Sequence, residues 1–94
     1  MESLGKLRFD WDAHNVRHLA RHGVTPEEFE EAMRNDPFII EAYERHGEER
    51  WSALAPTNGL RMLRLVFTDR DGRIRAVSAW DAPRYLQELY FKAR

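Results

Sequence analysis

Apolar and polar positions alternate through Leu7-Arg8-Phe9-Asp10-Trp11, which is the period of a short strand. Asp12 follows with the chemistry of a helix N-cap. Ala13 to His22 then puts Val16, Leu19 and Ala20 on one helical face. Gly23 stops this helix, because glycine enters the left-handed C-cap conformation without a Cβ penalty. Thr25 and Glu28 have the spacing of a capping box, and Pro26 sits at the first helical position. The second helix therefore starts there, with Phe29, Ala32 and Met33 as its apolar face, and Asn35-Asp36-Pro37 ends it. Beyond Pro37 the period falls to two. Strands are predicted from Phe38 to about Tyr43, from Arg50 to Ala55, from Arg61 to Thr68 and from Arg73 to Trp80. Glu44 to Glu49 reads as a polar loop, Pro56-Thr57-Asn58-Gly59 as a turn, and Asp69-Arg70-Asp71-Gly72 as a hairpin turn. In the third of these strands Leu63, Leu65 and Phe67 face one way and Arg64, Val66 and Thr68 the other. Pro83 opens a closing helix with Tyr85, Leu86, Leu89 and Tyr90 as its stripe.

Consecutive strands joined by short turns pair antiparallel. The pattern thus predicts an α+β fold, in which an N-terminal strand and two helices precede a mostly antiparallel sheet and a C-terminal helix. The 94 residues suit one domain, 1–94, with a single core. There is no cysteine, which removes disulfides and thiolate metal sites and agrees with a reducing cytosol. No apolar run approaches the roughly 20 residues of a membrane span, and Met1 to Phe9 lacks the apolar segment of a secretion leader. A cytoplasmic protein without a membrane partner is expected.

The formal net charge of -1 hides an asymmetry. Met1 to Glu49 carries 6 Lys/Arg and 12 Asp/Glu, whereas Arg50 to Arg94 carries 9 and 4. A basic half suits a phosphate backbone, since the arginine fork pairs with phosphate oxygens. The two halves can equally attract each other in the fold, and an acidic partner on the basic face is a third reading.

Five segments in a fixed order resemble a known family. They are Phe9-Asp10-Trp11-Asp12 before a helix, Arg21-His22-Gly23-Val24-Thr25 followed by Glu27-Glu28-Phe29-Glu30-Glu31-Ala32, and Asn35-Asp36-Pro37. Gly47-Glu48-Glu49-Arg50-Trp51 opens a strand, and Leu65-Val66-Phe67-Thr68 precedes a turn and Arg73-Ile74-Arg75-Ala76-Val77-Ser78-Ala79. Over Phe9 to about Tyr90 this series resembles the BrnT toxins of type II toxin–antitoxin systems. The resemblance implies a fold like that of the RelE ribonucleases and metal-independent cleavage of RNA with no cofactor. It also implies neutralisation by a BrnA-like antitoxin, through which alone the complex would reach DNA.

Cleavage of RNA without a metal needs a base for the 2′-hydroxyl, a cation for the phosphate and an acid for the leaving oxygen. Arg50 and Arg75 match the family's Glu-Arg pair and Arg-Ile strand, and with Glu49 and His46 they are the catalytic candidates. Arg64, Arg73, Trp80 and Arg84 are the RNA-binding candidates, arginine for phosphate and tryptophan for stacking on an unpaired base. The plainer reading is a solvated strand face for the arginines, a loop carboxylate for Glu49 and a core or antitoxin-facing position for Trp80. Trp80 and Asp81 stand where the family usually has basic residues, and Tyr85 and Leu86 where arginine and glutamate are common. These departures motivate an alternative: a catalytically degenerate binding module that acts in antitoxin binding and promoter regulation. His14, His18 and His22 form a helical stripe, which reads as surface rather than as a metal site. Glu27, Glu28, Glu30 and Glu31 read as complements to the helix dipole.

Overall fold

The computed structural model describes residues 6–93; residues 1–5, on which the leader reading partly draws, lie outside them. Its elements run β1 (Phe9–Asp10), α1 (Ala13–Ala20), α2 (Pro26–Arg34), β2 (Phe38–Arg45), β3 (Glu48–Pro56), β4 (Met62–Arg70), β5 (Arg73–Asp81) and α3 (Arg84–Lys92). This is the α+β order that the periodicity predicts. β2 to β5 form an antiparallel meander in a sheet of order β1-β5-β4-β3-β2. β1 returns to pair parallel with β5, through Phe9 with Ile74 and Asp10 with Arg75.

α1 and α2 cover one face of the sheet. Leu19, Val24, Phe29, Ala32 and Met33 pack there on Ala55, Leu63, Leu65, Ala76 and Ala79. The alanines let the helices approach closely, and burying each large side chain contributes about 1.5–3 kcal/mol. Phe29 is fully buried, with Phe9 and Trp11 edge-on at 6.4 and 5.6 Å. On the opposite face α3 covers one end, where Ala82, Leu86 and Tyr90 meet Leu54 and Met62. Tyr90 Oη donates to the Asp36 carbonyl at 2.9 Å, tying α3 to the end of α2. Among the described residues no helix lies over the other end of that face.

The helix starts follow the sequence signals. Thr25 and Glu28 form the expected capping box. α1 has one too, with Asp12 as the cap and Asn15 as its reciprocal partner. After α1, Gly23 N–H donates to Ala20 and Val24 N–H to Leu19, the pair of bonds found where a left-handed glycine (here φ 69°) closes a helix.

Three expectations need correction. Glu44 to Glu49 is not a loop, because β2 and β3 continue to a tight turn at His46-Gly47 whose φ values are 54° and 75°. Two successive positive φ angles match the twist of a hairpin, as they do at Asp71-Gly72. The residues around the turn are polar because the hairpin projects beyond the core, not because it is irregular. In α3 only Leu86 and Tyr90 are buried, while Tyr85 and Leu89 are exposed. The helix touches a corner of the sheet, so its contact stripe is narrow. In α1 Ala20 is exposed and Asn15 buried, because the helix start is tied to the sheet by hydrogen bonds.

Candidate functional site

Strand register builds the open face. Arg50 lies opposite Thr68 and Thr68 opposite Arg75, so one row crosses three strands. The next row is Ser52, Val66 and Ser78, and the third is Leu54, Arg64 and Trp80. Side chains alternate across a strand, so Arg50, Arg64 and Arg75 share this face. A β-bulge opposite Val66 and Phe67 makes Val77 the extra residue of β5 and turns that strand beside Arg75.

At the end left open by α3 lies a polar cleft of about 260 Å³, lined by His14, Glu48, Arg50, Thr68, Arg70 and Arg75 among others. The Arg75 side chain is only 11% exposed, with Nη1 3.0 Å from Asp12 Oδ2 and 3.5 Å from Asp10 Oδ2. That buried nitrogen nevertheless makes no well-directed hydrogen bond, so the contacts act through charge rather than alignment. Asp12 titrates below the usual carboxylate range, first because the Asn15 N–H donates to it and then because Arg75 lies beside it. Arg50 Nε donates to Glu48 Oε1 at 2.9 Å. Between them Thr68 is buried, and its hydroxyl donates to the Glu49 carbonyl at 2.6 Å, holding the start of β3 against β4.

Farther along the face, Arg64 Nε donates to Ser52 Oγ at 2.9 Å and Nη2 to Glu41 at 3.3 Å. Its guanidinium sits 5.6 Å from the centre of the Trp80 ring, and Trp80 also meets His22 at 5.9 Å. The face thus offers a polar cleft at one end and an arginine–tryptophan platform beside it.

The other candidates lie apart from this cleft. Glu49 falls between Glu48 and Arg50 in the strand and so points to the opposite face, where it borders Trp51 and Asp69. His46 is exposed at the hairpin tip. Arg73 is exposed near Arg70 and Asp71 at the next turn. Arg84 is on α3, with Nε 3.8 Å from Glu88. Among the polar lining residues, His14, Asn15, Glu48, Thr68 and Arg70 were not site candidates from the sequence. Grouping His14 with His18 and His22 hid it, for His22 turns toward Trp80 while His14 borders the cleft. Among the described residues no group of three His, Asp or Glu side chains is placed to share a metal ion.

Asp81 has a structural partner that the sequence does not disclose. Arg61 Nε and Nη2 donate to its two oxygens at 2.6 and 3.2 Å, while Nη1 donates to Glu28 at 3.0 Å and to the Gly23 carbonyl at 2.8 Å. One guanidinium therefore joins the α1–α2 corner to the end of β5. Arg61 holds Asp81 below its ordinary pKa; Glu28 is lowered chiefly by the Thr25 N–H and further by Arg61. Carboxylates lowered in this way stabilise the fold above their unfolded pKa and lose that contribution as pH falls through the folded value. His18, lowered mainly by burial, adds a loss that begins below its ordinary value of 6.5. Arg61→Ala is expected to cost about 2 kcal/mol at pH 7, or about 10 °C of melting temperature in a protein of this size. The gap from wild type should narrow as pH falls below about 4.5; an equal gap at pH 7 and pH 3.5 would contradict this assignment.

No curated protein matches the chain. A family model does, over residues 11–85 of the 94, and its description is the ribonuclease toxin BrnT of type II toxin–antitoxin systems. The matched span runs from Trp11 to Tyr85 and takes in α1, α2, the whole antiparallel meander and the row Arg50, Thr68 and Arg75. With most of the chain covered, the protein belongs to the BrnT family of ribonuclease toxins of type II toxin–antitoxin systems.

Proposed function

We propose that the chain is a toxin that cleaves RNA in the Arg50–Thr68–Arg75 cleft without a metal ion, acts in the cytoplasm and is neutralised by a BrnA-like antitoxin. The observation that carries this reading is the cleft itself, where the guanidinium groups of Arg50 and Arg75 flank a buried threonine. A phosphate entering the cleft would lie between these two cations, whose planar forks match its oxygens.

In the proposed reaction the 2′-oxygen attacks phosphorus and loses its proton to a base. The bond to the 5′-oxygen breaks, and that oxygen takes up a proton. The products are a 2′,3′-cyclic phosphate and a 5′-hydroxyl. Arg50 and Arg75 stabilise the charge on the phosphate oxygens. His14 is the imidazole that borders the cleft, and the proposal gives proton transfer to it rather than to His46 or Glu49, which lie outside. Trp80, backed by Arg64, offers a stacking surface for a neighbouring base. Arg73 and Arg84 lie at the two ends of the face and would attract the RNA backbone without touching the reacting phosphate.

A second reading has its own observation. Asp81 is held by Arg61, and Trp80 rests between His22 and Arg64, so these two positions offer no free cation to a phosphate. In that reading the chain binds its antitoxin and takes part in promoter regulation without cutting RNA. Incubation of the purified chain with total RNA in EDTA separates the two. Cleavage that leaves 2′,3′-cyclic phosphate ends, lowered about 100-fold in His14→Gln, supports the nuclease. Cleavage restored only by added magnesium would overturn the metal-free chemistry, and RNA left intact in every condition would favour the binding module.

A further inference from the structure

Beyond the reach of α1 and α2, the helix-side face of the sheet carries an apolar groove of about 290 Å³, lined by Ile39, Trp51, Phe67 and Ile74 with Thr68 and Asp69. Trp51 and Phe67 stack with centres 5.9 Å apart and planes 22° apart, and Ile39 is 45% exposed. Sheet positions that face water are ordinarily polar. A stacked tryptophan and phenylalanine left partly exposed forgo hydrophobic stabilisation that a partner would supply. The rim is acidic. The adjoining hollow shares Trp51, Thr68 and Asp69 with the groove and adds Glu48 and Glu49, and Glu44 stands next to Glu49 beyond it.

We propose that this groove seats the antitoxin, which fills it with an amphipathic segment. Two or so apolar side chains cover the Trp51–Phe67 pair, and flanking lysines or arginines meet Glu48, Glu49 and Asp69. The proposal rests on the toxin–antitoxin reading of the chain, which supplies a protein partner. Charge complementarity selects the basic character of the segment. The location also accounts for neutralisation, because Thr68 borders both the groove and the arginine cleft, and Glu48 borders the cleft and the hollow adjoining the groove. A segment anchored on Trp51 therefore reaches the cleft rim, where its cations compete with Arg50 for Glu48. The exposed Tyr85, Leu89 and Phe91 on α3 are a weaker match. They project from a convex helix between Arg84, Glu88 and Lys92, with both charge signs and no groove.

The test titrates the chain with a BrnA-like antitoxin. Trp51→Ala is expected to weaken the complex about 30-fold, the size typical of a central aromatic anchor. Ile39→Lys, at a position exposed enough to leave the fold intact, should weaken it about 10-fold by placing a cation against a basic segment. Affinity of the wild type should fall as salt rises, while Leu60→Ala, Tyr85→Ser and Phe91→Ser stay within about twofold. Wild-type affinity in both groove variants, or a loss confined to Tyr85→Ser and Phe91→Ser, would overturn the groove assignment while leaving the toxin–antitoxin reading in place. A wild-type chain that forms no complex at all would overturn both.

Discussion

Arg50→Ala is expected to slow RNA cleavage by about 100- to 1,000-fold while leaving the protein folded. The rate loss follows from removing one donor aimed at developing charge, where the cost is about 3–4 kcal/mol. The intact fold follows from what else Arg50 does in the structure. Its ion pair with Glu48 at 2.9 Å is partly solvated at both ends and contributes less than about 1 kcal/mol to stability. Arg75 needs a different substitution. It is buried against Asp10 and Asp12, so Arg75→Ala would leave Asp12 without its cation and Asp10 with Arg70 alone, and would lose activity through misfolding as readily as through chemistry. Arg75→Lys keeps the charge but loses the planar fork that matches a phosphate. It should cut the rate about 100-fold with a melting temperature only a few degrees lower. Initial rates on a short RNA, taken beside thermal melts, decide the point. Near-normal rates in both folded variants would remove the reaction from this cleft.

Local signals carried the fold a long way, and the reasons are specific. Period-two alternation through Arg61 to Thr68 needs only the pleat of one strand, so it gave the correct facing of Arg64 and Thr68 against Leu63 and Leu65. Thr25, Pro26 and Glu28 act within one turn, and the helix starts where they say. The parallel return of β1 to β5 was not legible, because it joins residues more than sixty apart and rests on tertiary packing. The hairpin turn at His46-Gly47 was missed because a histidine at positive φ is uncommon and the flanking residues are polar on both faces.

The candidate site was legible in its cations and obscure in its partners. Arg50, Arg64 and Arg75 came from strand phase and family resemblance, and register brings them to one face. That Thr68 lies between Arg50 and Arg75, and that His14 arrives from α1, depends on how the meander and the first helix meet. The charge asymmetry of the two halves serves both open readings at once. Arg61, Arg64, Arg70 and Arg75 each pair with an acid from the N-terminal half, yet Arg64 and Arg75 still reach the open face. The acidic run in α2 is likewise used internally, with Glu28 on Arg61, Glu30 on the Trp11 indole and Glu31 on the Asn58 N–H.

Asn15→Ala should be the most damaging single change among the polar residues around the cleft, lowering the melting temperature by about 15 °C. Asn15 is 2% exposed and sits where β1, α1 and β5 meet. Its amide nitrogen donates to the Asp10 carbonyl at 2.9 Å and to the Ala76 carbonyl at 3.3 Å, and its oxygen accepts from the Asp12 N–H at 2.9 Å. Truncation leaves two carbonyls and one N–H without these partners. Each buried group left this way costs about 1–3 kcal/mol, and water reaching the Asp12 end lowers the sum to about 3 kcal/mol. The carbonyl of Ala76 is the contact that ties the helix start to the bulged strand carrying Arg75, so the loss loosens the cleft wall as well as the fold. Below the melting transition, cleavage should fall only a few-fold, since Asn15 positions the cleft and has no charge to offer the phosphate. Asp12→Ala removes the other half of the same capping box, and the double variant should be less destabilised than the two single changes added together. A melting temperature within 3 °C of wild type would mean that water replaces the amide at no cost, and the junction would then be held by the Phe9–Phe29–Trp11 cluster instead.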